Sequence, residues 1–221
     1  MPSRHYWSPE GAEILSQTAA ARDVYVGDPS SRRGFAAKVV ERVLQHYKGF
    51  TAVRNRNEKL KWFDINPSSA WWYATALEYG IALTGVTPHA NTLQQLKKIG
   101  GNAAQADFLN LKINGNPDVI SLQGVLETTA FPALYLDRAY NLLETGGMLV
   151  IAATNAASLA WKVLDRNKQT TCWQSPERLH LFSGQRLSAL VEEKGFTVVD
   201  YTVDPTSESG MVLYAVKEKK K

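Results

Sequence analysis

A polar stretch at residues 64–70, Asp-Ile-Asn-Pro-Ser-Ser-Ala, stands where a nucleotide-binding α/β domain would place its glycine-rich turn. An apolar run that ends in Asp64 precedes it, and an aromatic-rich segment that ends at Gly80 follows it. In such strand–turn–helix units, glycines let the backbone approach a nucleotide closely. No glycine lies between Asp64 and Gly80. The residues therefore predict a nucleotide-binding site whose contact loop lacks the usual glycines.

Strand and helix patterns alternate from residue 60 onward and surround this stretch. Short apolar runs without strict alternation are typical of parallel strands that are covered on both faces. The predicted strands are 60–64, 81–86, 103–106, 118–122 and 148–153, and the predicted helices are 69–79, 90–98 and 131–144. This alternation predicts an α/β fold in which a doubly wound, Rossmann-like, mostly parallel sheet has helices on both faces.

The C-terminal third departs from simple alternation. Helices are predicted at 156–165 and 184–194, each with apolar residues at helical spacing. Two strands, 196–203 and 211–217, follow without a helix between them. A short polar connection between two strands predicts a hairpin, so we expect the sheet to have seven strands with an antiparallel C-terminal strand at its edge.

The length and composition fit one domain with an N-terminal extension. The chain has 221 residues, of which 44% are hydrophobic, enough for one core. Further helices are predicted at 9–21 and 35–47. We expect residues 1–35 to form an extension that could cover the site as a lid, and residues 36–221 to form the α/β domain.

Charge and composition argue against several function classes. The net charge of +4 lies largely near the chain ends and does not indicate a nucleic-acid partner, and no apolar run is long enough to span a membrane. The single cysteine, Cys172, cannot form an intrachain disulfide, which favours a cytoplasmic location. The histidines are scattered without ligand spacing, so no metal site is predicted.

Several local motifs, in a consistent order, resemble class I S-adenosylmethionine-dependent methyltransferases, particularly the small-molecule group that includes the ubiquinone-biosynthesis O-methyltransferases. Residues 118–127 resemble the fourth strand of that family with its "V-L-E" continuation. Residues 140–151 resemble its "L-L-K-P-G-G-x-L-V-I" turn, and residues 178–183 its "H-L-x-x-F-S" segment. The resemblance covers roughly residues 36–217. It implies the seven-stranded methyltransferase sheet and S-adenosylmethionine as the cofactor.

The same resemblance locates the cofactor contacts and shows which of them have changed. The first motif, D-x-G-x-G-x-G, begins at Asp64, and its glycine positions hold Asn66, Ser68 and Ala70. The acid that binds the ribose hydroxyls is replaced by Thr87. Glycine accepts positive φ and presents no Cβ to a ligand, and a hydroxyl is a poor substitute for a carboxylate acceptor. These changes predict weak binding of S-adenosylmethionine, or none.

Other positions of the family pattern keep residues that could contact a ligand. Asp107 matches the acid that reads the adenine amino group, and Phe108 could cover a ring, although a solvated aspartate and a core phenylalanine fit the pattern equally well. Gln123, at the end of the fourth predicted strand, is also assigned to the cofactor site. Glu127 and His180 are the candidate catalytic residues, with a structural role for His180 as the alternative.

Three functions remain open on these residues. The first is a pseudo-methyltransferase, a non-catalytic binding or assembly module. The second is an active small-molecule methyltransferase with a divergent cofactor loop, and the third is different chemistry on another ligand in the cleft. If the cleft is not catalytic, we expect a homodimer or a protein partner to bind aromatic surfaces. The candidate anchors are Tyr6, Trp7, Tyr25, Trp161 and Trp173.

Overall fold

The computed structural model describes seven stretches of the chain, which leave out residues 1–31, six internal segments and residues 219–221. The described stretches are 32–54, 60–67, 70–81, 83–98, 100–166, 177–204 and 209–218. The predicted helix at 9–21 and most of the predicted extension lie outside them. Within the described stretches, no helix is long and apolar enough to cross a membrane.

Seven strands and seven α-helices, together with one short 3₁₀ turn, make up the described fold. The strands are β1 Trp62–Ile65, β2 Leu83–Thr87, β3 Asn102–Gln105, β4 Val119–Gln123, β5 Met148–Thr154, β6 Phe196–Asp204 and β7 Gly210–Lys217. The α-helices are α1 Arg32–Arg54, α2 Ala70–Glu78, α3 Ala90–Lys98, α4 Val125–Thr128, α5 Pro132–Leu142, α6 Leu159–Arg166 and α7 Gly184–Glu193, and the 3₁₀ turn is Phe108–Asn110.

All seven strands form one sheet in the order β3-β2-β1-β4-β5-β7-β6. The pairs from β3 to β5 are parallel, whereas β7 pairs antiparallel with both β5 and β6. The predicted Rossmann-like sheet with its antiparallel C-terminal strand is therefore confirmed. The antiparallel strand lies one position inside the edge, because β7 turns back between β5 and β6 and leaves β6 outermost.

The sheet separates two hydrophobic cores, as expected when both faces are covered. On one face, α1, α2 and α3 pack against the strands through residues such as Val39, Trp62 and Leu96. On the other face, α5, α7 and the 3₁₀ turn cover residues such as Leu122 and Ile151. Since successive strand residues point to opposite faces, the five inner strands β1, β2, β4, β5 and β7 contribute to both cores.

Two helices differ from their predicted bounds. The first was predicted at 35–47, but α1 runs from Arg32 to Arg54, so Gly49 does not end it. The helix predicted at 156–165 begins later, at Leu159. There the polar residues first form a turn, in which Asn155 Oδ1 accepts the Ala157 amide at 3.0 Å and Ser158 Oγ accepts the Trp161 amide at 3.0 Å. A serine in this position caps the helix and fixes its start.

The packing of α2 on the sheet depends on Gly101. The Tyr73 side chain is fully buried, and its hydroxyl donates to the main-chain oxygens of Leu83 and Asn102. A Cβ placed on Gly101 would overlap the Tyr73 ring and its hydroxyl. Since both hydrogen bonds fix the ring between β2 and β3, the ring cannot turn aside without losing them.

We expect Gly101→Ala to lower the free energy of unfolding by about 1–3 kcal/mol, the usual cost of overpacking a core. Urea unfolding followed by circular dichroism measures the change. Tyr73→Phe removes the hydroxyl that the new methyl would meet, so the double variant should lose less stability than the sum of the single variants. Unchanged stability of Gly101→Ala would contradict this description of the packing.

Candidate functional site

The candidate site lies where the order of the strands reverses. The chain runs from β1 outward to β3 and then returns to place β4 on the other side of β1. In open α/β sheets, ligands bind at the carboxyl ends of the strands at such a switch point. Here Asn66 follows β1 and Gly124 follows β4, and β1 and β4 pair in parallel from Trp62 to Ile65.

Asp64 lies within this pair and bonds to the neighbouring strand. Its carboxylate accepts from Ser121 Oγ at 2.6 Å and from Gln123 Nε2 at 2.8 Å, while Ser121 Oγ accepts from Trp62 Nε1 at 2.9 Å. The Asp64 side chain is fully buried. Burial raises the pKa of Asp64 to about 7, against the opposing effect of the two hydrogen bonds. Both carboxylate oxygens are therefore engaged within the protein.

Asn66 occupies the first of the substituted glycine positions and adopts the backbone conformation that a glycine would favour there. Its φ is 46°, and it is the only non-glycine residue with positive φ in the described stretches. Its amide donates to the Val86 oxygen at 2.8 Å, while its buried Oδ1 has no hydrogen-bond partner. The turn thus keeps a left-handed backbone conformation at its first position, which asparagine tolerates better than most residues. Ser68 lies outside the described residues, and Ala70 begins α2.

Thr87 stands at the position of the ribose-binding acid, and its side chain stabilises a local turn. Its side chain is buried, with 1% exposure, and its Oγ1 accepts the His89 amide at 3.2 Å. Threonine hydroxyls commonly stabilise turns in this way. The arrangement presents no carboxylate at the end of β2.

Asp107 and Phe108 adopt the structural roles that the sequence left open. Asp107 caps the 3₁₀ turn, where its oxygens accept the Leu109 amide at 3.2 Å and Asn110 Nδ2 at 2.9 Å. The Asp107 side chain remains exposed. Phe108 is buried in the core and packs against Tyr135 with ring centroids 5.7 Å apart.

Glu127 lies on α4 and is buried beside the end of β5, where it forms an ion pair that was not predicted. Arg178 Nη1 donates to Glu127 Oε1 at 3.0 Å, and the Thr154 amide donates to the same oxygen at 3.2 Å. Burial raises the pKa of Glu127, and the nearby Arg178 charge opposes that shift. The Glu127 main-chain oxygen accepts the amides of Leu179 and His180. The two candidate catalytic residues, Glu127 and His180, are thus adjacent.

His180 lies beside Phe182, with ring centroids 6.0 Å apart, and its buried Nε2 has no hydrogen-bond partner. Two of the candidate site residues therefore carry an unpaired buried atom, Asn66 Oδ1 and His180 Nε2. Within the described residues, no group of three or more histidine, cysteine or acidic side chains could hold a metal ion.

Sequence reasoning missed Ser121 and assigned Gln123 to the cofactor. One signal was available: Ser121 and Gln123 stand two apart on β4, so both side chains share a face, and the β1–β4 register places them beside Asp64. The role of Arg178 had no comparable signal, because its partner Glu127 is distant in the chain. Trp72 and Tyr73, in the aromatic-rich segment that follows the turn, are buried.

The raised pKa of Asp64 predicts a specific pH dependence of stability. An acid whose folded-state pKa exceeds its unfolded value stabilises the fold when protonated, and that contribution is lost as pH rises. We expect the free energy of unfolding to fall between about pH 4 and about pH 7, at up to about 1.4 kcal/mol per pH unit. Urea titrations across this range provide the measurement.

Asp64→Asn is the matched variant, because the Gln123 amide can rotate to accept from the new side chain. The difference between the two stability curves isolates Asp64, since all other titrating groups are common to both proteins. The variant should lack the Asp64 slope and be the more stable protein at pH 8. Parallel curves for the two proteins would contradict the assignment.

Comparison with known proteins identifies the family of this domain. A family model described as a methyltransferase domain matches residues 9–201. No curated protein matches the chain significantly. Among solved structures, the chain is similar to a SAM-dependent methyltransferase from Thermotoga maritima, with 18% identity, 81% of this chain and 92% of that chain covered, and a TM-score of 0.56.

Two further structures are similar over most of the chain. Magnesium protoporphyrin IX methyltransferase from Synechocystis PCC 6803, solved with bound SAH, has 12% identity and a TM-score of 0.62, covering 97% of this chain and 98% of that chain. The N-methyltransferase NodS from Bradyrhizobium japonicum WM9 has 14% identity and a TM-score of 0.53, covering 81% and 96%. At these identities the likeness concerns the fold. Because the family model spans most of the sequence, the chain belongs to the methyltransferase domain family.

Proposed function

We propose that this methyltransferase-fold protein is a pseudo-methyltransferase, a non-catalytic binding or assembly module with a degenerate S-adenosylmethionine site. The observation that carries the proposal is Thr87, which stands at the ribose-binding position. Its hydroxyl is buried and accepts the His89 amide. The end of β2 therefore offers a ribose no carboxylate and only an engaged hydroxyl.

The free-energy cost of this single change is substantial. A ribose-binding acid forms charge-assisted hydrogen bonds, and the loss of such a pair costs on the order of 1.5–3 kcal/mol. That corresponds to roughly ten- to a hundredfold in affinity. The internal bonds of Gln123 and Asp107 add to the effect, because a ligand would have to compete with partners that are already in place.

An active S-adenosylmethionine-dependent small-molecule methyltransferase is the second candidate. One observation favours it: Asn66 has the positive φ that a glycine would favour, so the backbone after β1 can still turn as in a glycine-containing loop. In this reading the divergent loop still accepts the cofactor, and the unpaired Asn66 Oδ1 becomes a ligand contact. Binding measurements discriminate between the two candidates.

We expect S-adenosylmethionine and SAH to bind with dissociation constants above the micromolar range, or not at all, because the ribose acid and the loop glycines are absent. Isothermal titration calorimetry on the purified protein measures this. Micromolar or tighter binding of either compound would overturn the degenerate-site proposal and favour the active enzyme.

A gain-of-function variant tests whether only those contacts are missing. Glycine at 66, 68 and 70 together with Thr87→Asp should raise the affinity for SAH. The matched control carries the same glycines with Thr87→Asn, which has the shape of aspartate without its charge. If the two variants bind alike, the ribose carboxylate is not the missing contact.

We further propose that the protein acts in the cytoplasm, as its lone Cys172 suggests, and that it self-associates through an aromatic surface. Trp161 is buried, and Trp173 lies outside the described residues, as do Tyr6, Trp7 and Tyr25. The exposed apolar side chains beside Trp161 are Leu159 and Val163. Because aromatic side chains are the ones that dominate interface energies, Trp7 and Trp173 are the anchors that this proposal depends on.

Light scattering tests the self-association. The wild-type protein should run as a dimer at tens of micromolar, and Trp7→Ala or Trp173→Ala should shift it toward the monomer. A wild-type protein that is strictly monomeric at this concentration would remove the support for self-association.

A further inference from the structure

The ion pair between Glu127 and Arg178 belongs to a larger set of contacts. Arg178 Nη1 donates both to Glu127 Oε1 and to Thr154 Oγ1, and the Thr154 amide donates to the same carboxylate. One guanidinium group thus joins α4, the end of β5 and the chain before α7. Glu127 is only 3% exposed, whereas about a third of the Arg178 side chain is exposed.

The backbone on the C-terminal side of Arg178 forms hydrogen bonds with α4 and with the residues that follow β5. We call residues 177–182 the docked segment. The amides of Leu179 and His180 donate to the Glu127 oxygen at 2.7 and 3.1 Å. At its other end, the Phe182 oxygen accepts the Ala156 amide at 2.9 Å. The docked segment therefore lies across the residues that follow β4 and β5, on the carboxyl side of the sheet.

The strength of the attachment follows from the burial of Glu127. A buried carboxylate is costly unless it is paired and hydrogen-bonded. Loss of one partner from a buried pair leaves the other charge uncompensated, which is far more costly than loss of an exposed pair. Arg178 therefore cannot leave Glu127 without a large penalty, and the docked segment is held with it.

We propose that Arg178 is a positioning residue whose guanidinium holds the docked segment over the ends of β4 and β5 and pairs with Glu127 Oε1, which keeps this carboxylate charged and opposes its use as an acid on a molecule at the switch point. This inference deepens the proposed non-catalytic function, on which its functional meaning rests. The contact engages Glu127, one of the two candidate catalytic residues, and the docked segment contains His180, the other.

Amide hydrogen exchange tests the attachment. In Arg178→Met, which keeps the length of the side chain but removes its charge, the Leu179 and His180 amides should exchange roughly ten- to a hundredfold faster. Arg178→Lys keeps the charge and should restore much of the protection. Arg186→Met, at an exposed position on α7, is the matched control and should leave these amides unchanged.

The amides of Leu187 and Val191, buried in α7, separate local opening from global unfolding. Faster exchange at Leu179 and His180 alone supports the proposal. Equal acceleration at the α7 amides would overturn it, because the ion pair would then stabilise the whole fold without positioning the segment. No acceleration beyond that of Arg186→Met would overturn it as well.

Two further measurements keep the test decisive. Carbon NMR of the Glu127 carboxyl should show a higher titration midpoint in Arg178→Met, since the cation that favours the charged form is gone. If Arg178→Met does not fold, Glu127→Gln keeps the shape of the site, removes the buried charge, and should release the same two amides. Retained protection in Glu127→Gln would contradict the proposal.

These outcomes are independent of cofactor binding. The exchange experiment is carried out without any ligand, so its failure concerns only the role of Arg178. Calorimetry with S-adenosylmethionine concerns the cofactor site at the ends of β1 and β2. A docked segment that opens as expected in a protein that also binds the cofactor tightly would uphold the attachment and overturn the non-catalytic function.

Discussion

The burial of the Asp64 carboxyl between β1 and β4 is the constraint on which the centre of the molecule depends. A carboxyl group with no solvent must find hydrogen bonds within the protein or remain protonated. Ser121 and Gln123 supply those bonds from the next strand. Since β1 also pairs with β2, the position of this one side chain helps to fix the register of the three central strands.

The same requirement explains the character of the site. Around the switch point, polar side chains that could face a ligand are instead satisfied within the protein. Gln123 bonds to Asp64, Thr87 to the His89 amide, and Glu127 to Arg178. A binding site needs polar groups whose partners are supplied by the ligand, and here only a few atoms remain without partners. The switch point therefore has the position at which open α/β sheets bind ligands, while most of its polar groups are bonded within the protein.

The fold could be predicted from the sequence more fully than the site. The alternation of apolar runs and amphipathic segments depends on local spacing, and it gave the sheet, its helices and the terminal hairpin. The antiparallel strand was expected at the edge, but whether β6 or β7 lies outermost depends on long-range pairing that spacing does not encode. Gly49 within α1 shows the same limit, because tertiary packing can outweigh a local helix-breaking residue.

The site required information that a motif does not contain. Asn66 carries the positive φ that a glycine would favour at the first position of the motif, and the assignment of this motif to a cofactor stays a prediction. The roles of Thr87 and Arg178 were not predictable, because each depends on which neighbour lies within hydrogen-bonding distance after folding. The ubiquinone-related subgroup remains a prediction, as the similar structures share the fold at low identity.

The insertion of β7 between β5 and β6 has a consequence for how the chain acquires its structure during synthesis. Its central residues, Met211 to Val216, are all buried, and β7 is the last strand of the sheet in chain order. Until the ribosome releases residues 210–217, β5 has an open flank and β6 has no partner. Domains that depend on such distant pairings fold slowly and expose unpaired strands meanwhile. The partly made sheet is therefore most open to wrong pairing along β5 and β6 until its final strand emerges.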